Sequence, residues 1–167
     1  MNGDKKDSRT KLGITTNTGL VSEIMTHAVV TVEFSENAAS AAGIMGEKGF
    51  GCLLVTNNKD VVGIVTERDL VRKVLAAKCD ANKITVGDIM SQPLIKVNPF
   101  TSVDEATKLM AEKRIRRLAV MEEELLVGIV TITDVARYIA KLKNHFSLLY
   151  PMITALTRQE PANSPYV

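Results

Sequence analysis

Tryptophan is absent from the 167 residues, and aromatic side chains make up only 4% of them. A core built from this chain is therefore aliphatic. Cysteine is nearly absent as well: Cys52 and Cys79 stand alone, with no CxxC pair and no Cys/His cluster, which excludes a zinc-finger spacing. So few cysteines fit a reducing, cytoplasmic setting. His27 and His145 have no partner at ligand spacing, so no metal site and no required cofactor are expected. An excess of one charge is also missing. Twenty-one Lys and Arg against 19 Asp and Glu leave +2, too little for the electrostatic footprint of a nucleic-acid-binding protein. No apolar run is long enough to span a bilayer, and residues 1–10 are polar, without the apolar stretch of a signal peptide. Gly-x-Ser-x-Gly, P-loop and dinucleotide fingerprints do not occur. What remains is ordinary globular composition, 46% hydrophobic and 24% charged, in a length that can bury a core without disulfides.

The dominant positive feature is an internal repeat. VSEIM at Val21 returns as VGDIM at Val86, and GIVTERD at Gly63 returns as GIVTITD at Gly128, both 65 residues later. Met45/Met110, Glu47/Glu112, Leu53/Leu118 and Val55/Val120 keep that offset without a gap. Each copy parses as β-α-β-β-α behind a short leading helix (Ser22–Met25, Gly87–Met90). First strands are expected at Val29–Val32 and Leu94–Val97. Ala38, Ala41, Ala42 and Met45, spaced i, i+3, i+4, i+7, predict the buried face of an amphipathic helix, repeated by Val103, Ala106 and Met110. Ser102 followed by Glu105 has the form of a capping box. Apolar runs Cys52–Val55 and Val61–Val65, joined by turn residues 57–60, predict a hairpin, as do Leu118–Met121 and Leu125–Val130. Closing helices follow at Glu67–Ala77 and Ile132–Lys143. The resulting division is residues 1–18 as a flexible lead, 19–77 and 86–143 as the two repeats, and 78–85 as linker. Residues 144–157 are expected to add a helix and 158–167 a flexible tail. Neither copy is large enough to hold a core alone, so the two should pack together, and the recurring methionines should fill core or interface.

The chemistry sits where a strand meets a helix, in Gly63-Ile64-Val65-Thr66-Glu67-Arg68-Asp69 and Gly128-Ile129-Val130-Thr131-Ile132-Thr133-Asp134. Thr-x-x-Asp is a sound helix cap, because the hydroxyl satisfies an orphan amide and the carboxylate faces the positive end of the dipole. The same helix N-terminus can receive a phosphate, the threonine hydroxyl can bond a phosphate oxygen, and a carboxylate can accept both hydroxyls of a ribose. Capping alone does not explain why a glycine precedes the threonine at the same distance in both copies.

Two copies of V-x-x-I-M, an amphipathic helix ending in Met, a hairpin and G-h-x-T-x-x-D resemble a tandem pair of CBS domains, a Bateman module, over Gly19 to Lys143. The resemblance implies an α+β fold, with the two motifs packed about a pseudo-twofold axis and two clefts between them. It further implies a regulatory adenosyl ligand (AMP, ADP, ATP or S-adenosylmethionine) and a homodimer of modules that signals to a regulated protein. Carried onto this chain, Asp69 and Asp134 would hold ribose. Thr66 and Thr131, with Thr133 and the neighbouring Arg68, would contact phosphate or ribose. Ile64, Ile129, Val29, Val30, Leu94 and Ile95 would line the base pocket, although core packing explains many of these equally well.

Lys113-Arg114-Ile115-Arg116-Arg117 occurs only in the second copy, where the first has Gly51-Cys52. Members of the family often carry a basic residue here that reaches phosphate, so Arg116 or Arg117 should face a cleft. The Pro common in the family after the hydrophobic residue is missing; Leu54 and Ala119 stand there. The clefts are therefore unequal, and one preferred site beside Asp134 is expected. The residues suggest a binding module and no enzyme, since nothing supplies a nucleophile. Two alternatives stay open: a nucleic-acid-binding protein using residues 113–117 with Arg137, Lys141 and Lys143, and a structural dimerisation module with empty clefts.

Overall fold

The computed structural model describes residues 19–142. The expected flexible lead, helix 144–157 and tail 158–167 lie outside the described residues, as does Lys143. Two three-stranded sheets organise the rest. The first contains β1 (Thr31–Glu33), β2 (Cys52–Asn57) and β3 (Asp60–Thr66), in that order. Helix α1 (Ala38–Lys48) connects β1 to β2, which run parallel with Val32 opposite Val55, while β2 and β3 form an antiparallel hairpin. Asn58 and Lys59 at its tip both have positive φ, the backbone a two-residue hairpin turn demands. Helix α2 (Glu67–Asp69) then continues as a π-helical segment, Leu70–Leu75.

The second repeat copies this plan. Helix α3 (Val86–Ile89) leads to β4 (Lys96–Val97), α4 (Val103–Lys113), β5 (Arg117–Glu122), β6 (Leu125–Thr131) and α5 (Ile132–Lys141), with sheet order β4-β5-β6. Among the described residues no helix is long and apolar enough to cross a membrane.

Local sequence explains most boundaries. Four helices start on capping boxes: Thr66/Asp69, Thr85/Asp88, Ser102/Glu105 and Thr131/Asp134. The counterpart of Thr85 is Leu20, which cannot cap, and the first leading segment is only a 3-10 turn, Val21–Glu23. The two first strands are shorter than periodicity predicts. Val29, Val30, Leu94 and Ile95 precede the ladders as half-buried extended backbone, although the Val30 and Ile95 carbonyls accept from Leu54 and Ala119 N–H at 3.1 and 3.2 Å. On α1 the buried stripe is Ala38, Ala41 and Met45. Ala42 is exposed, contrary to expectation, and Ile44 packs on the opposite flank of the stripe.

Consecutive burial of Leu53, Leu54 and Val55, and of Leu118 to Met121, shows that the central strands are covered on both faces. Leu53 and Val55 face the helices within one core cluster, and Leu54 points the other way. That first cluster also contains Val86, Ile89 and Met90, from the leading segment of the second repeat. Conversely, Val21 belongs to the cluster of Val103, Met110, Leu118 and Val130, with Ile24 and Met25 packed against it. Each repeat thus completes the other's core, so the packing units do not coincide with the sequence repeats 19–77 and 86–143. Full burial of an aliphatic side chain stabilises by about 1.5–3 kcal/mol. Val86, Ile89 and Met90 together therefore rival the net stability of a small domain, about 5–15 kcal/mol, so the first core leans heavily on the second repeat, while the second gains the buried Val21 and the half-buried Ile24 and Met25.

Bridges between repeats come in reciprocal pairs: Leu20 with Ser102 and Thr85 with Asn37, then Thr26 with Ile129 and Ser91 with Ile64. This reciprocity is the signature of a pseudo-twofold axis. It also accounts for the paired glycines. A Cβ on Gly63 would lie 2.6 Å from Met90 Sδ and 2.9 Å from the Ser91 carbonyl oxygen. On Gly128 it would lie 2.8 Å from Met25 Sδ and 3.1 Å from the Thr26 carbonyl oxygen. Glycine is needed there because the leading segment of the other repeat crosses the strand at that point.

Gly63→Ala is therefore expected to destabilise the protein by about 1–3 kcal/mol, the usual cost of overpacking. Gly128→Ala should cost less, because its backbone neighbour stands farther off. Thermal melts of both variants check this, and an unchanged Tm for Gly63→Ala would contradict it. Acid provides a second test. The Ser102 amide and hydroxyl hold the Glu105 carboxyl below its ordinary 4.5, and the Thr85 hydroxyl and amide hold Asp88 below 3.8. A carboxyl depressed on folding contributes stability above its unfolded pKa and loses it as pH falls toward the folded value. Tm should fall as pH drops from about 5 to about 3, and Glu105→Gln should flatten part of that slope.

Candidate functional site

The reciprocal packing leaves a cavity of about 370 Å³ between the repeats, within the usual range for small-molecule sites, about 300–1,000 Å³. Thr26, Ala28, Val29 and Val30, the extended segment before β1, form one wall, and Gly49 to Cys52 with Leu54 form the next. The second repeat supplies Ile129, Thr131, Thr133, Asp134 and Arg137 from the end of β6 and the start of α5, and Arg117 from β5. The site is apolar on the Val29, Val30, Leu54 and Ile129 side. It is polar at the helix N-terminus.

Asp134 is buried, and both of its carboxylate oxygens accept hydrogen bonds. Its Oδ2 accepts from Thr131 N–H at 2.9 Å and from Thr131 Oγ1 at 2.7 Å, closing the cap. Its Oδ1 accepts from Arg137 Nη1 at 2.9 Å, where the arginine side chain is 63% exposed. One carboxylate oxygen therefore serves the fold and the other faces an exposed cation. Carboxylate oxygens have capacity for further donors, so Oδ1 can take a ligand hydroxyl beside or in place of Arg137. Arg117 reaches the pseudo-twofold axis, where its counterpart is Cys52. A Cβ on Gly51 would lie 3.0 Å from Glu67 Oε2 and 3.4 Å from Arg117 Nη2, so this glycine leaves room for both. Burial pushes the Cys52 thiol up, against the opposing pull of the Arg117 guanidinium, with Glu67 adding to the rise. The thiol is neutral at neutral pH and is a wall, not a nucleophile.

Of the sequence-predicted residues, the cavity brings together Val29, Val30, Arg117, Ile129, Thr131, Thr133 and Asp134. Ile64, Thr66, Arg68, Asp69, Leu94 and Ile95 do not line it; by the same register they belong to the pseudo-symmetric side around Asp69. Arg116 does not line the cavity either. It is exposed, its carbonyl accepts from Ile132 N–H at 3.0 Å, and its counterpart is Gly51, so its register position also falls on the Asp69 side. The arginine pair is thus split between the two sides and does not serve Asp134 together. Residues 113–117 likewise form no single basic face, because Ile115 packs on the core and Arg117 turns into the cavity. Sequence reasoning missed Thr26, Ala28, the run from Gly49 to Cys52, Leu54 and Arg137 as lining. The i, i+3 spacing of Asp134 and Arg137 was a usable signal. The others required knowing that one repeat lines the cleft of the other. Among the described residues, no three His, Cys, Asp or Glu side chains come close enough together to hold a metal ion.

A family model described as CBS domain matches residues 21–76 and again residues 86–141. The chain belongs to the CBS domain family. It is a tandem CBS pair, a type of module that is generally regulatory and not catalytic. An uncharacterized protein of Methanopyrus kandleri is 42% identical over 117 residues, covering 69% of this chain and 60% of its own length. A putative signal-transduction protein with CBS domains from Burkholderia ambifaria superposes with a TM-score of 0.70 at 32% identity, covering 78% of this chain and 99% of that one. A hexameric CBS-CP12 protein from bloom-forming cyanobacteria also gives a TM-score of 0.70, at 34% identity, covering 83% of this chain and 82% of that one.

Proposed function

We propose that this CBS pair is a sensor of an adenosyl compound, AMP, ADP, ATP or S-adenosylmethionine, and that the ligand binds in the Asp134 cleft. One observation carries the reading. The cavity sets an apolar wall (Val29, Val30, Leu54, Ile129) opposite a capped helix N-terminus that presents Asp134 Oδ1, with Thr133, Arg117 and Arg137 around it. A flat base suits the apolar side, and a carboxylate oxygen suits a ribose hydroxyl. Two guanidiniums and a helix N-terminus suit phosphate.

Such a ligand touches both repeats at once. Its binding energy therefore acts on their relative position, and any arrangement that closes the cleft gains population. The output is a change in the surface offered to a second copy of the module and to a regulated protein. The hexameric assembly of the cyanobacterial relative supports association as a means of output.

Isothermal titration with the four compounds tests the proposal. At least one is expected to bind, and Asp134→Ala is expected to weaken that binding by tenfold or more, since a hydrogen bond to a charged group is worth about 1.5–3 kcal/mol. Asp134→Asn, which keeps an acceptor for the cap, separates lost binding from lost folding when its Tm is recorded alongside. The ligand should also raise the wild-type Tm, as about 2.7 kcal/mol accrues at a hundredfold excess over Kd. No binding by any of the four compounds would remove the proposal.

A further inference from the structure

The two clefts carry the same cap, but the cations on their acids are held differently. On the Asp69 side, Oδ2 accepts from Thr66 N–H at 3.0 Å and from Thr66 Oγ1 at 2.6 Å, as in the other copy. The remaining oxygen, Oδ1, is 3.0 Å from Lys73 Nζ. That ammonium also donates to the Ile89 carbonyl at 2.6 Å, with a longer contact of 3.5 Å to the Met90 carbonyl. Met90 immediately precedes Ser91, the counterpart of Thr26, which lines the Asp134 cavity. Lys73 therefore ties Asp69 across its cleft to the backbone of the opposite repeat.

Among the contacts of the described residues, none joins the cation on Asp134 to the backbone of the opposite repeat. The counterpart of Lys73 is Tyr138, whose hydroxyl accepts from Gly19 N–H at 2.8 Å. The cation on Asp134 is Arg137, three residues on along a regular α-helix, and its bond to Asp134 Oδ1 stays within α5. The sequence accounts for the difference: the fourth residue after the acid, at the ordinary i, i+4 spacing, is Lys73 in the first repeat and Tyr138 in the second, so only the first has a cation there.

We infer that Lys73 is a specificity-determining residue that closes the Asp69 cleft, so that each chain admits one adenosyl ligand, beside Asp134. A ligand hydroxyl at Asp69 must displace an ammonium held by a carboxylate and a backbone carbonyl of the other repeat. At Asp134 it meets an arginine held by the acid alone among the contacts described; both side chains are exposed (Lys73 44%, Arg137 63%), and the second anchor on the Ile89 carbonyl is what distinguishes them. This assignment rests on the nucleotide reading of the preceding subsection, which it deepens.

The test is the binding stoichiometry of the full chain, titrated in parallel with AMP, ADP, ATP and S-adenosylmethionine. Wild type is expected to bind one molecule per chain, with Asp69→Ala leaving this site's affinity within about twofold. Lys73→Met is expected to add a second site. Lys73→Gln, which keeps a neutral donor for the Ile89 carbonyl and so guards against misfolding, should add it as well. Two sites in wild type, or one in both folded variants, would overturn the closing role while leaving the nucleotide reading intact. Absence of binding in all three proteins would overturn both.

Discussion

The fold depends on one reciprocal exchange, in which the leading segment of each repeat packs into the core of the other. Val86, Ile89 and Met90 complete the first core, and Val21 with Ile24 and Met25 completes the second. Gly63 and Gly128 make the crossings possible, because a side chain at either would collide with the arriving methionine and backbone. Every later feature follows from this arrangement. The extended stretch after each crossing, Thr26–Val30 in the first repeat, is brought opposite the Thr-x-x-Asp helix start of the other repeat, and the space between becomes a cleft. The cleft is lined by both repeats, so a ligand placed there would touch both.

The helix cap serves two purposes with one carboxylate. One oxygen of each aspartate is committed to the threonine, which fixes the rotamer and keeps the acid buried at the helix N-terminus. The other oxygen points outward and takes a cation. Duplication made both acids structurally equal, and divergence acted on the residue that faces the second oxygen. A lysine bound also to the backbone of the opposite repeat, and an arginine bound to its acid alone among the contacts described, give the two sides different chemistry.

Much of this organisation was legible in the sequence, because it is carried by local physics. The 65-residue offset, the hairpins, the stripe of Val103, Ala106 and Met110, and the Ser102/Glu105 cap all emerged as expected. The exchange between repeats did not. Periodicity says that Ile89 and Met90 are buried but not against which core, and the doubled glycine was a clue whose meaning required the crossing. The length of the first strands was overestimated for a related reason: Val29 and Val30 look like strand residues, yet they line a cleft. The site was legible at Asp134, Thr131 and Thr133, where a motif repeats. It was obscure at Gly51, Cys52 and Leu54, which seemed to belong to the wrong copy. The i, i+4 spacing of Asp69 and Lys73 was open to reading, but the bond of that lysine to the Ile89 carbonyl of the other repeat was not, and the π segment left no periodic trace.

Amide hydrogen exchange in Ile89→Val tests the exchange of segments most directly. This substitution removes one methylene from a residue that belongs to the second repeat in sequence and to the first in packing, at a cost of about 0.5–1.5 kcal/mol. The account predicts that protection falls chiefly in β2 and β3 of the first repeat, around Leu53, Val55 and Val65. Loss of protection confined to β5 and β6, the strands of its own repeat, would contradict it.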